Sequence, residues 1–151
     1  MPDHSVRLFA DDAAIRSVGE RFLACALPKA EWTHEAHLAT CLWLCVERPD
    51  IVPERDLPRL ISCYNQSVGG VNSDSEGYHE TITQVYVAAV RDHLAERPAG
   101  EALAASVTAL LTSERGFRDW PLRFYSRERL FSVEARLGFV PPDLSPARPL
   151  D

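Results

Sequence analysis

Apolar residues recur at intervals of three and four through most of the chain, and Pro, Gly, Asp, Ser and Thr punctuate the pattern. Asp11 or Asp12 is placed to cap a first helix with the stripe Ile15, Val18, Phe22 and Cys25 or Ala26, ending before Pro28. Thr33 is placed to cap a second, with Glu35 in the first turn, where the helix dipole favours a carboxylate. Its stripe reads His34, His37, Leu38, Cys41, Leu44 and Cys45, and Pro49 stops it. A third begins near Pro53, carries Leu57, Leu60, Ile61, Tyr64 and Val68, and closes at Gly69-Gly70. Pro58 falls early in that segment and argues for a start nearer Asp56.

The polar stretch Val71 to Gly77 reads as a loop, after which Ser73 or Ser75 is the expected cap of a fourth helix. Its stripe is His79, Ile82, Tyr86, Ala89 or Val90, and His93, closed by Pro98. A fifth is expected from about Ala99 to Ser113, then two short helices near Ser126–Phe131 and Ser132–Gly138. No useful β-alternation and no internal repeat is visible. The expectation is an all-α, single-domain bundle of five main helices. Residues 1–10 read as a flexible start, 11–140 as the helical domain and 141–151 as a Pro-rich extended tail.

Composition narrows the class without naming a function. At 151 residues the chain is long enough to bury roughly 70% of its unfolded surface. A net charge of −6 without any Lys/Arg run argues against nucleic acid or an anionic membrane as partner. No signal-like or membrane-spanning stretch is evident. The four cysteines, Cys25, Cys41, Cys45 and Cys63, show neither a C-x-x-C pair nor a framework spacing, so free thiols in a reducing cytoplasm are expected.

Candidate chemistry centres on histidine. His34 and His37, in Thr33-His34-Glu35-Ala36-His37-Leu38, share one helix face, and Cys41 continues it. His79, in Tyr78-His79-Glu80-Thr81, lies on the apolar stripe of another helix. A buried imidazole needs a partner, so packing of the second helix on the fourth would converge three rings on an internal polar site. Three neutral imidazoles suit one divalent transition metal, zinc first, with Glu80 as acid/base or orienter. The competing reading is that these histidines are structural. His4 and His93 read as solvated.

Tyr78 and Asn72 flank the same loop and are candidate ligand contacts. Between Phe117 and Arg136 the chain is locally positive by two, and Arg127 or Arg129 could anchor an anionic group there. Nucleotide-binding and serine-hydrolase signatures are absent.

These residues resemble a family of small bacterial all-helical proteins with no established activity. The resemblance rests on Thr33-His34-x-x-His37-Leu38, on Asn72 with Tyr78-His79-Glu80-Thr81, on Tyr125-Ser126-Arg127-Glu128-Arg129-Leu130-Phe131-Ser132, and on Pro141-Pro142-Asp143-Leu144. It implies a helical fold and one site shared by the motifs. DinB-like bundles, which hold a divalent metal through three histidines on different helices, are similar in architecture; here two of the three would lie on one helix. The leading expectation is a small-molecule enzyme assisted by a metal on His34, His37 and His79. The alternative is a non-catalytic interaction protein, with a homodimer formed through an exposed apolar helix face.

Overall fold

The computed structural model describes residues 6–144, and within them every regular element is helical. The helices are α1 (Asp12–Leu23), α2 (His34–Glu47), α3 (Pro53–Ser67), α4 (Glu80–Glu96), α5 (Leu103–Leu111), α6 (Arg127–Leu130) and α7 (Val133–Leu137), with short 3₁₀ turns between some of them. Among the described residues no helix is long and apolar enough to cross a membrane. His4 and most of the expected Pro-rich tail lie outside the described residues.

α2 is the axis of the fold. Instead of presenting one stripe, it is buried without a break from Leu38 to Leu44, with α1, α3, α4 and α5 packed around it. The contact with α1 is close enough that a Cβ on Gly19 would meet the Trp43 ring at 2.3 Å. A second, smaller core joins Val85 of α4 to Phe124, Tyr125 and Leu130.

The capping pattern departs from expectation in instructive ways. Asp11 caps α1 by accepting from the Ala14 amide at 2.8 Å, while Asp12 reaches across to the Ala104 amide at 2.7 Å and serves the start of α5. Thr33 caps α2 as expected. α4, however, is capped by neither serine: its N-cap is His79, whose Nδ1 accepts from the Ile82 amide at 3.1 Å. Ser73 is spent inside its own loop, on the amides of Ser75 and Glu76.

α3 begins at Pro53 and runs straight through Pro58, contrary to the later start expected. Proline at 58 has no amide to give the Glu54 carbonyl. The Gln84 side chain takes that carbonyl instead, donating from Nε2 at 3.1 Å, so no backbone group is stranded. Glycine closes α3 as expected, with Gly69 at φ +87°.

The chain from Gly138 to Leu144 forms a strap. Tyr125 donates to the Val140 carbonyl at 2.6 Å, Asp143 accepts from both the amide and hydroxyl of Ser126 at 2.8 Å, and the Leu144 amide reaches the Phe124 carbonyl. Thr81 of α4 ties the strap down on both sides, giving to the Gly138 carbonyl and taking from the Val140 amide.

Candidate functional site

Helices α2, α3 and α4 leave a cavity of about 360 Å³ between them. α2 contributes His34, His37, Thr40 and Cys41; α3 contributes Leu57 and Ile61; α4 contributes Ile82, Thr83, Tyr86 and Val87. No Asp, Glu, Lys or Arg lines it. A second, more polar cavity of about 590 Å³ adjoins it and shares Trp32, His37, Ile61, Ile82 and Thr83. Tyr78, His79, Lys29 and Glu76 belong to the second cavity alone. His37 and Trp32 therefore stand at the junction.

Local sequence fixes the His37 ring. Its Nδ1–H donates to the Thr33 carbonyl one turn back, at 2.7 Å. Its face packs on Trp32 with ring centroids 3.8 Å apart, and Phe22 stacks nearly parallel on the same indole at 4.3 Å. Trp32 precedes the cap residue and His37 is the fourth helical residue, so the pair forms the staple that sets the angle at which the chain enters α2. With Nδ1 carrying the proton, Nε2 holds a lone pair and makes no hydrogen bond among the described residues. Burial lowers the ring's pKa to about 4, against the smaller opposing effect of the Thr33 carbonyl, so the ring is neutral at pH 7.

Two residues of the wall also carry a buried polar atom that lacks a partner among the described residues and is closed off from the open space, the Thr40 hydroxyl and the Trp32 indole Nε1. Buried groups of this kind are nearly always paired, and stranding one costs about 1–3 kcal/mol. Cys41, by contrast, is an inert thiol, its pKa pushed well up by its bond to Cys45 and by burial.

The other histidines are built differently. His34 lines the first cavity, but its Nε2–H is committed to the Gly116 carbonyl at 2.8 Å, which with the Tyr86–Phe117 bond holds the Glu114–Gly116 turn against the bundle. His79 uses both nitrogens: Nδ1 caps α4, and Nε2–H donates to the Leu130 carbonyl at 2.7 Å. His93, expected in solvent, is buried at 5% and donates to the Ser106 carbonyl at 2.9 Å.

This arrangement departs from the expected metal set of His34, His37 and His79. His79 has no lone pair to offer, and among the described residues no three His, Cys, Asp or Glu side chains converge. Both nitrogens of His79 are thus spent on the fold, and the three rings are not brought together as a ligand set. Glu80 lines neither cavity; its carboxylate accepts from the Tyr78 phenol and lies near the Gln84 amide. Tyr78 does reach the second cavity.

Asn72 is the clasp of its loop. Its Oδ1 accepts from Asn65 and the Tyr78 amide, and its Nδ2 donates to the Ser62 carbonyl. Arg127 and Arg129 lie on α6, away from both cavities. Arg127 is exposed, and Arg129 donates to the Pro141 carbonyl at 2.7 Å, holding the strap.

The Gly77–Thr81 stretch and the segment after Leu130 meet at a structural joint. His79 and Thr81 bind the segment from Leu130 to Val140, and Arg136 donates to the Gly77 carbonyl. Trp32, Thr40 and Thr83 were not singled out in the sequence; the staple spacing of Trp32 and His37 was the available signal for the first. Comparison of the chain with protein-family models, with curated proteins and with solved structures found no match.

Proposed function

We propose that the protein binds a small organic molecule in the cavity between α2, α3 and α4, with His37 as its central polar contact. The observation that carries this reading is the His37 Nε2 lone pair, without a partner among the described residues, on the wall of a largely apolar cavity that holds no charged side chain. Binding sites for small molecules have this composition and a volume of about 300–1,000 Å³. Recognition is favoured over proton transfer at His37: a ring with a pKa of about 4 accepts a hydrogen bond well but is a weak base near neutrality. Four free thiols support a reducing, cytoplasmic setting.

Backbone-amide NMR with naphthalene as the probe tests the reading. Shift changes should cluster on Trp32, His37, Cys41, Ile61 and Ile82 to Val87. Perturbation confined to α6 and α7, or none at millimolar probe, contradicts it. A second reading, an interaction protein with structural histidines, is favoured by the paired nitrogens of His79 and His93 and predicts that null result. Elemental analysis of protein purified without chelator or nickel resin should find no stoichiometric transition metal; about one per chain would restore the metal-assisted enzyme.

A further inference from the structure

The unpaired imidazole nitrogen and the missing charges together say what kind of molecule the cavity takes, on the footing that it is a binding site at all. A carboxylate or phosphate entering the first cavity would meet no Lys or Arg and two imidazoles held neutral by burial. An ammonium would meet no Asp or Glu. Burying either ion unpaired is prohibitive. Ligand charge is therefore selected against in both signs.

The polar atom that remains is specific in sense. His37 Nε2 can only accept, because Nδ1 carries the ring's proton. The Thr40 hydroxyl and the Trp32 N–H are closed off from the open space, which leaves His37 Nε2 as the unpaired polar atom that faces a ligand. A ligand hydroxyl suits this acceptor, its hydrogen toward the imidazole nitrogen.

The geometry points to an uncharged, largely apolar compound bearing a hydroxyl, of about one or two rings in bulk, bound with its hydroxyl hydrogen on His37 Nε2. The adjoining cavity, where Lys29 and Glu76 of opposite charge sit, leaves room for a polar extension of the same molecule.

Calorimetric titration at pH 7.5 with naphthol, naphthyl methyl ether and naphthoate tests this on the native chain. Naphthol should bind about three- to tenfold more tightly than the ether, which lacks the donor, and at least about tenfold more tightly than the anion. His37→Phe, which keeps an aromatic ring on Trp32, should erase the advantage over the ether while ether binding persists. Equal affinities for naphthol and ether in the native protein, or tightest binding of naphthoate, overturn the ligand class while leaving the cavity as a site. Binding of none of the three overturns the cavity reading beneath it. Should His37→Phe fail to fold, the comparison of the three probes on the native protein still decides.

Discussion

Residues of one type do opposite work here, and the hydrogen bonds of each ring decide which. His79 is spent on the fold: truncation to Ala removes the α4 cap and strands the Leu130 carbonyl. Together these losses are expected to cost about 2–4 kcal/mol, read as a lower urea midpoint. Asn at this position should restore the cap and part of that loss. A His79→Ala protein with unchanged stability and lost ligand binding would place His79 in the site instead. Gly19 offers a test of the close approach at α1 and α2: Gly19→Ala pushes a methyl into the Trp43 ring, outweighing the helix propensity gained, for a net loss of about 1–3 kcal/mol. A stabilised variant would mean the helices sit farther apart.

At the level of elements, most boundaries were legible from periodicity and punctuation. Thr33, the Gly69-Gly70 pair, Ser126 and Ser132 mark ends where local chemistry and tertiary structure agree. The misreadings share one cause, a partner distant in sequence. Pro58 is tolerated because Gln84, on another helix, takes the orphaned carbonyl, and nothing near residue 58 announces that. Gln84→Ala should therefore destabilise α3 and α4 together by about 1–3 kcal/mol, and Pro58→Ala should recover much of it by restoring a backbone donor. Additive effects in that double-mutant cycle would show that the two residues are not coupled. His79 was readable as a buried imidazole but not as a cap, since serine candidates stood upstream and the Leu130 carbonyl lies 51 residues away. The same holds for Arg129, whose partner is the strap.

Across the whole molecule, four imidazoles are held neutral in the interior, and folding is linked to pH through them. His34, His37, His79 and His93 all have pKa values lowered chiefly by burial. The folded chain thus binds these protons less readily than the unfolded chain, whose rings titrate near pH 6.5. Their contribution is complete above about pH 6.5 and is lost as pH falls toward the folded values, about 4 for His37, by up to about 1.4 kcal/mol per pH unit for each ring still neutral. Chemical denaturation between pH 7.5 and 5 should show this loss before the paired carboxylates begin to titrate; a flat profile would mean the rings are not buried as described. The sequence exposed the cluster of imidazoles, but it could not show which nitrogens were already taken, because three of the four carbonyl partners are set by tertiary packing. That division is most directly read by histidine-nitrogen NMR at neutral pH, with naphthol added. An Nδ1–H tautomer at His37 and an Nε2–H tautomer at His79 are expected, with naphthol shifting His37 Nε2 alone. A protonated His37, or a response at His79 in its place, would contradict this division.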